Sequence, residues 1–365
     1  DLEAMRNPAN GLADRERWAL MAPWWPHVRT TGFGRAMREY MKDLFGIHDI
    51  NENTVEDLSN RIRAARKPGW YKELLHNRAA IDCALVIRWP GQSVAVDKEL
   101  FRAVPILDHY AMPANPAQLE NLEKESGRPI HTLKQLMDAQ ESMLDRFLTE
   151  GIVAVKIFLA YIRTLQFDRW SEADAENAFN KIAENLPKED AAIALKPLQD
   201  FMTRRIIALA TDRGLPIQIH TGLQEGNGNY LTNSCPTLLS SVLLDYPTAR
   251  FDLFHAGYPY TGEIAVLAKD FPNAWADLCW IQAVSPAVYA RTLNDWLDLI
   301  PANKILCGGG DSNYAEGAYG HCRLARRLTY GVLEQRIEAG DFSPDEASAI
   351  ADRIFRENAR DLFHL

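Results

Sequence analysis

From residue 80 onward, short apolar runs alternate with longer stretches whose apolar residues recur at helical spacing. The short runs have the length of buried β-strands, and the longer stretches predict helices. Such alternation is typical of βαβ units, in which the strands run parallel. The predicted strands cover residues 80–87, 104–107, 151–158, 216–220, 251–255, 273–279 and 304–307. The predicted helices include residues 133–147, 172–184, 189–212, 235–246, 318–339 and 343–361.

The first 77 residues have a different pattern, in which no apolar run predicts a core strand. Ala36, Met37, Tyr40, Met41 and Leu44 recur at helical spacing and predict a helix over residues 34–45. A second helix is expected to end near residue 65. We therefore expect residues 1–77 to be a helical cap region packed on a barrel of residues 78–365, in a single domain overall.

Seven parallel strands fit two architectures. A doubly wound open sheet binds its ligand at one switch point, which few loops serve. In a closed (β/α)8 barrel, the carboxyl ends of all strands meet on one face, where the active site lies. Chemically capable residues end at least three of the predicted strands, so the pattern favours an α/β fold of the (β/α)8 TIM-barrel type. The eighth strand is then expected to be the first one of the barrel, upstream of residue 1.

Three of the predicted strands end in or lead to a side chain that binds metals. His220 and His255 are each followed closely by glycine, and Asp311 follows a run of three glycines. Imidazole and carboxylate are ligands of zinc and related ions, and such an ion lowers the pKa of bound water. A single histidine at a strand end is more often structural, but three equivalent positions favour a metal site. A phosphate loop is the alternative for the glycines, although no Gly-Lys-Ser/Thr follows them and Asp311 would repel phosphate.

Two basic residues are candidates for binding an acidic group of the substrate. Lys156 lies inside an apolar strand, in phase with Ala154 and Phe158, where an amine is costly unless it is paired or modified. Its alternative role is a lysine that extends past the strand end. Arg163 follows on the next loop, and its guanidinium suits a carboxylate. A surface charge explains Arg163 equally well.

Three further residues are candidates for contacting the substrate. Tyr258 follows His255 on the same loop, and Trp280 lies just beyond the predicted sixth strand. Trp280 fits a pocket wall and a core position equally. His321 lies ten residues after Asp311, in the early turns of a predicted helix, where it either reaches the site or has a structural role.

Composition narrows the classes of function. The formal charge of −9 argues against a general binder of nucleic acid or anionic membranes. No apolar run approaches the roughly 20 residues of a membrane span, and the first residues contain no apolar signal region. The five cysteines are odd in number and form no Cys-x-x-Cys pair, which favours reduced thiols in a cytoplasmic protein. The sequence does not begin with Met, which leaves open whether residue 1 is the natural N-terminus.

Several of these stretches resemble the amidohydrolase superfamily, and in particular the branch called amidohydrolase family 2. The resemblance covers residues 150–365 well and the first 150 residues only loosely. It is carried by Gln-Ile-His-Thr-Gly at 218–222, Phe-His-Ala-Gly-Tyr-Pro-Tyr at 254–260, residues 273–278, Gly-Asp-Ser at 310–312 and residues 357–363. A fainter resemblance to uronate isomerases is carried by residues 44–47, Trp280, Asp311, His321 and Arg323.

The amidohydrolase resemblance implies a (β/α)8 barrel with a divalent metal at the strand carboxyl ends, zinc first, with manganese or iron as alternatives. His220 resembles the ligand on the fifth strand, and His255 the histidine on the sixth, which binds a second metal or acts on substrate and water. Asp311 resembles the aspartate of the eighth strand, which is a ligand and a general base. Lys156 occupies the place of a bridging carboxylated lysine, a role that single-metal members lack.

The sequence departs from this pattern at one point. The first strand of the family ends in His-x-His and supplies two metal ligands, and that motif does not occur in this sequence. The expectation is therefore that an upstream strand carries it.

The function that follows is a metal-dependent hydrolase, in which activated water attacks an amide, ester or lactone carbonyl of a small acidic substrate. Asp311 would accept the proton of water, His255 would stabilise the oxyanion or transfer a proton, and Lys156 and Arg163 would hold the acidic group. The alternatives are decarboxylation of an aromatic acid, isomerisation of a uronate, or a barrel that binds without catalysis. The expected partner is a small carboxylate, with no nucleic acid and no membrane, and homo-oligomerisation is left open.

Overall fold

The computed structural model describes residues 11–226 and 228–365, so the first ten residues of the predicted cap region lie outside it. Within the described residues, all seven predicted strands are present, most of them shorter than the apolar runs that predicted them. The strands are β1 (Ala84–Arg88), β2 (Phe101–Pro105), β3 (Val155–Ile157), β4 (Ile217–His220), β5 (Phe251–Phe254), β6 (Ala274–Asp277) and β7 (Ile305–Leu306).

The strands follow one another in space in the order of the sequence, and every pairing is parallel. β1 pairs with β2, and β3 to β7 form a continuous ladder. A parallel bridge between Ile106 and Lys156 joins the two groups of strands. A doubly wound sheet has a switch point, where the strand order reverses direction. The strand order here does not reverse, so the doubly wound alternative is excluded. The fold is of the α/β TIM-barrel type, as predicted.

Most of the predicted helices begin and end close to observed α-helices, but the predicted helix 235–246 is α-helical only over Ser240–Asp245, and the predicted helix 189–212 is divided at Leu195. Helix α3 begins at a Thr31 cap, where the hydroxyl accepts from the Gly34 amide at 3.3 Å, and it ends at Gly46 with φ 66°. The α-helices are α1 (Asp14–Met21), α2 (Trp25–Val28), α3 (Gly32–Phe45), α4 (Val55–Ala65), α5 (Pro116–Ser126), α6 (Leu133–Glu150), α7 (Glu172–Asn180), α8 (Lys188–Ala194), α9 (Lys196–Asp212), α10 (Ser240–Asp245), α11 (Thr261–Asp270), α12 (Ile281–Val284), α13 (Pro286–Leu299), α14 (Ala315–Ala339), α15 (Pro344–Asp352) and α16 (Asn358–Phe363). Single π-helical segments cover Lys72–Arg78 and Arg353–Glu357.

The described residues divide into two compact units. The barrel unit contains residues 83–277, 296–306 and 352–365, and therefore all seven strands. The helical unit contains residues 11–82, 278–295 and 307–351. The predicted division into a 1–77 cap and a 78–365 barrel stays a prediction.

The sheet of the barrel unit encloses apolar side chains from distant strands. Val104 of β2 and Leu306 of β7 belong to one buried cluster, together with Leu362 and Phe363 of α16. Strands at both ends of the sheet order thus contribute to one apolar cluster, which agrees with the curvature expected of a barrel. Asn358 fixes α16 to this end of β7, because its side-chain amide donates to the carbonyl oxygen of Ile305 at 2.8 Å.

The helical unit is built on close packing of α3. A Cβ on Gly32 would lie 2.0 Å from the carbonyl oxygen of Ala283, and one on Gly320 would lie 2.7 Å from that of Ala36. Glycine at these two positions therefore lets α3 approach α12 and α14 at backbone distance. Glu316, in the first turn of α14, is buried and receives a two-pronged ion pair from Arg66, with both N–O distances at 3.0 Å.

Candidate metal and substrate site

The centre of the candidate site in the barrel unit is a pair of buried histidines. His220 is the last residue of β4 and His255 directly follows β5. Both are 1% exposed, and their ring centroids lie 4.6 Å apart. In the register of these strands, His220 is paired with Phe254. The structure thus brings together two of the three predicted metal ligands at the carboxyl ends of neighbouring strands.

The loops that follow β4 and β5 are fixed to each other, which sets the distance between the two imidazoles. The Thr221 hydroxyl donates to the Phe254 carbonyl oxygen at 2.6 Å, and the Leu223 amide donates to that of Tyr258 at 2.6 Å. Gly222 has φ 72°, and a Cβ there would lie 2.3 Å from the carbonyl carbon of Gly257. Glycine is required at this position because the two backbones are in contact.

The His220 imidazole is oriented by a backbone carbonyl. Its Nε2 lies 3.0 Å from the carbonyl oxygen of Leu223, which can only accept, so Nε2 carries the hydrogen. Nδ1 is then the nitrogen with the lone pair. Tyr161 covers the ring with its centroid at 4.7 Å, stacked in turn on Phe158 at 4.2 Å. A second nitrogen that donates to a carbonyl is the usual way in which a metal-binding histidine is held.

Unusual backbone conformations occur after three consecutive strands. His255 has φ 68° and follows β5, Trp280 has φ 74° and follows β6, and Asp311 has φ 42° and follows β7. Left-handed φ values are uncommon for residues other than glycine, and they occur often at functional sites. Each of the three was predicted as a site residue for other reasons.

A layer of polar side chains lies one level below the two histidines. Lys156, Gln218 and Asp252 are paired across β3, β4 and β5 and therefore project from the same face of the sheet. Gln218 Nε2 donates to Asp252 Oδ2 at 3.2 Å. Lys156 Nζ lies 3.2 Å from the centroid of the Phe254 ring, so an aromatic face contributes to holding this buried amine.

Three carboxyl groups, those of Asp108, Asp252 and Asp277, lie in or near this layer, which contains one lysine. Burial raises the pKa of Asp108 to about 7, although the Phe158 amide and the Lys156 charge act in the opposite direction. Burial, and then the neighbouring Asp277, raise the pKa of Asp252, and Lys156 again opposes them. Carboxyl groups here are therefore protonated at a higher pH than usual.

Sequence reasoning missed Asp108, Gln218 and Asp252. A signal was present for two of them. Gln218 is two residues before His220, and Asp252 is two residues before Phe254, so each shares the inward face of its strand.

The structure places the other predicted residues of this unit on nearby loops. The Arg163 guanidinium forms an ion pair with the fully buried Asp200 and also donates to Gln199 Oε1 at 3.2 Å. Tyr258 is partly buried, and its amide donates to the His255 carbonyl oxygen at 3.0 Å. The roles of Arg163, Tyr258 and Lys156 in binding substrate stay predictions.

The helical unit contains the remaining three predicted residues. His321 lies in α14 and is 6% exposed, and its Nδ1 lies 2.5 Å from the Gly310 carbonyl oxygen. Burial lowers the pKa of His321, an effect opposed by the Gly310 carbonyl and by the charge of Asp311. Asp311 is exposed, and Trp280 is 6% exposed. The Trp280 amide donates to the Gly309 carbonyl oxygen at 3.0 Å.

The donor set in the barrel unit fits part of a metal shell. His220 and His255 supply two adjacent imidazoles, one of them already oriented. Across residues 11–226 and 228–365, however, no group of three or more His, Cys, Asp or Glu side chains is placed to hold a metal. A catalytic zinc usually has three protein ligands. Asp311 as the third ligand stays a prediction.

Comparison with known proteins decides the family. The family model of the amidohydrolases matches residues 151–365, which is more than half of the chain. The chain belongs to the amidohydrolase family. Amidohydrolase membership implies a divalent metal, and it agrees with the resemblance found in the sequence.

One curated relative of this amidohydrolase is the protein fluG of Emericella nidulans. The two are 27% identical over 232 residues, which cover 60% of this chain and 26% of the relative. The matched stretch thus spans about a quarter of the length of fluG.

Solved structures confirm the fold. A uronate isomerase of Thermotoga maritima has a TM-score of 0.84 and 16% identity, over 99% of this chain and 84% of that one. A candidate metal-dependent hydrolase of Lactobacillus casei has a TM-score of 0.72 and 20% identity, over 93% and 86%. A glucuronate isomerase of Caulobacter crescentus has a TM-score of 0.76 and 19% identity, over 97% and 79%. In the described part of this amidohydrolase, no helix has the length and apolar character needed to cross a membrane.

Proposed function

We propose that this amidohydrolase-family protein is a metal-dependent hydrolase that cleaves an amide, ester or lactone bond in a small acidic substrate. The observation that carries the proposal is the buried pair of His220 and His255, 4.6 Å apart at the ends of β4 and β5. The Nε2 of His220 donates to the Leu223 carbonyl, so its Nδ1 carries the lone pair that a metal needs.

His220, His255 and Asp311 would hold the metal, most readily zinc, with manganese or iron as alternatives. When bound, the ion would supply Lewis acidity and a water of lowered pKa. Asp311 would accept a proton from the attacking water and pass it to the leaving group, and His255 would stabilise the developing oxyanion. Tyr161 and Phe158, which cover His220, would exclude bulk water from that side.

Lys156 would supply positive charge below the two histidines. Its amine contacts the Phe254 ring, and its charge opposes the rise that burial causes in the pKa of Asp108 and Asp252. We propose that this charge favours the carboxylate of an acidic substrate. Arg163 is the second predicted residue for that group, but its guanidinium already contacts Asp200 and Gln199. This use of its donors makes Lys156 the stronger candidate.

Isomerisation of a uronate is the second candidate function. It is favoured by the structural likeness to the Thermotoga maritima uronate isomerase, which extends over 99% of this chain with a TM-score of 0.84. The identity of 16% restricts that likeness to the fold. The same barrel and the same histidines would then serve a different reaction.

The mass of the product separates the candidate reactions. The metal-replete protein is incubated with N-acyl amino acids, aryl esters, lactones, aromatic acids and D-glucuronate, and the products are weighed by mass spectrometry. Hydrolysis adds one water, decarboxylation removes carbon dioxide, and isomerisation leaves the mass unchanged. The proposal expects hydrolysis that is lost in His220→Ala. Conversion of D-glucuronate to an isomer of equal mass, without hydrolysis of any other substrate, would overturn it, and no product at all would support the non-catalytic barrel.

A further inference from the structure

The helical unit contains an apolar cavity that the proposed chemistry does not use. Its volume is about 350 Å³. The lining residues on which the argument depends are Trp25, Val28, Phe33, Tyr40, Tyr314 and His321. Ligand pockets typically have volumes of about 300–1,000 Å³, and a dry cavity of about 150 Å³ already binds benzene. The cavity therefore has room for an aromatic ring with substituents.

The cavity wall has few polar groups. The rings of Tyr40 and Tyr314 lie with their centroids 6.1 Å apart, and burial raises the pKa of both phenols, so neither carries a charge near neutral pH. The Thr31 hydroxyl donates to the Val28 carbonyl oxygen at 2.7 Å. His321 donates from Nδ1 to the Gly310 carbonyl, which leaves Nε2 as an acceptor. A polyhydroxylated ligand would lose hydrogen bonds to water here and find few partners.

The cavity adjoins residues that were predicted to carry the chemistry. His321, which lines it, donates from Nδ1 to the carbonyl oxygen of Gly310, the residue before Asp311. The Phe33 ring forms edge contacts with Trp280 at 6.0 Å and with His321 at 6.3 Å. Phe33 is 49% exposed and Tyr314 is 44% exposed, so both rings lie at the mouth of the cavity.

We propose that this cavity binds a small carboxylate through its apolar, ring-bearing part. The inference goes beyond the proposed function, because it assigns a ligand to the helical unit by itself. Aromatic walls suit an aryl or branched alkyl group, and the Nε2 of His321 suits a single N–H or O–H donor on that group. The ligands that fit are then aryl or alkyl acids, and sugar acids with a hydroxyl on nearly every carbon do not fit.

Binding of two matched acids to the full chain tests this inference. Phenylacetate and D-glucuronate each carry one carboxylate, but only phenylacetate has an apolar ring. Isothermal titration of the wild-type protein should give an affinity for phenylacetate at least about tenfold higher than for D-glucuronate. Val28→Phe should fill the cavity and reduce phenylacetate binding at least about tenfold. Tyr330→Ala removes an exposed ring elsewhere on α14 and should leave the affinity unchanged.

A second variant protects the test against misfolding. Phe33 is half-exposed, so Phe33→Ala should fold and still weaken phenylacetate binding severalfold, with the thermal melting temperature as the check. Equal or tighter binding of D-glucuronate by the wild type would overturn the inference. Unchanged phenylacetate binding in both Val28→Phe and Phe33→Ala would also overturn it. Because binding needs no turnover, these results are independent of whether the protein hydrolyses anything.

Discussion

The imidazole rings of His220 and His255 lie 4.6 Å apart at the ends of two strands that are paired along their length. Hydrogen bonds of Thr221 and Leu223 to the loop after β5 maintain this distance. The strand ends and their loops together therefore set the position of the two rings, and changes in those loops should alter the distance between them.

Gly222→Ala should disturb the pair. The new Cβ would lie 2.3 Å from the Gly257 carbonyl carbon, and φ at this position is 72°. Gly214→Ala is a matched control, since φ there is 68° and no atom lies within 4 Å of its Cβ. The left-handed conformation costs both variants ~1–2 kcal/mol, and we expect a further ~1–3 kcal/mol for Gly222→Ala from the clash. Urea unfolding measures the difference, and equal losses in the two variants would refute the contact.

The strand ends were the part of the site that the sequence predicted best. A strand that stops at His-Thr-Gly or His-Ala-Gly has a local cause, because glycine ends the ladder at once. The predicted strand boundaries were less accurate where an apolar run extends beyond the residues that pair in the sheet. Residues 151–154 are apolar and lie beside the sheet, but β3 itself is Val155–Ile157. Residues outside the hydrogen-bonded ladder can still be buried. Because a hydrophobic pattern indicates burial and not strand pairing, it predicts a strand that is too long.

The aromatic cavity could not be predicted from the sequence. Phe33 contacts Trp280 and His321, which follow it by more than 240 positions. Hydrophobic periodicity predicts which face of a helix is buried and says nothing about its partner. The polar layer is an intermediate case. The sequence shows that Gln218 and Asp252 lie on the inward faces of their strands, but it does not show that these residues and Asp108 surround Lys156, because that depends on how the strands pair.

Asp108 should make stability depend on pH. Its pKa is about 7 in the folded protein, well above the ordinary value of 3.8. Between these values the unfolded chain releases a proton that the folded protein keeps, so stability falls as the pH rises towards 7 and then levels off. In Asp108→Asn, where the new amide oxygen can still accept from the Phe158 amide, this component should be absent.

The measurement is the free energy of unfolding of both proteins from pH 4 to pH 8. The wild type should lose stability relative to Asp108→Asn by up to ~1.4 kcal/mol per pH unit below pH 7. A difference between the two proteins that stays constant with pH would contradict a buried, protonated Asp108.

Arg163→Met should destabilise the protein. It removes one of the two cationic partners of Asp200, whose carboxylate is fully buried. Because Lys196 still pairs with that carboxylate, we expect a loss of ~1.5–3 kcal/mol, below the ~3–5 kcal/mol of a fully broken buried pair. Lys134→Met is the control, because it removes an exposed pair with Asp138 that contributes ~0.3–0.5 kcal/mol. Chemical denaturation measures both variants. If Arg163→Met instead raises KM for an acidic substrate and leaves stability unchanged, the guanidinium binds substrate.

The metal content of three histidine variants tests the central claim most directly. The wild-type protein, loaded with zinc, manganese or iron and freed of excess ion, should retain at least about one equivalent per chain by elemental mass spectrometry. His220→Ala and His255→Ala should retain the fold, judged by thermal melting, and lose most of the metal. His131→Ala, whose side chain is 74% exposed, should bind as the wild type does. If folded His220→Ala retains as much metal as the wild type, the two strand ends are not the metal site.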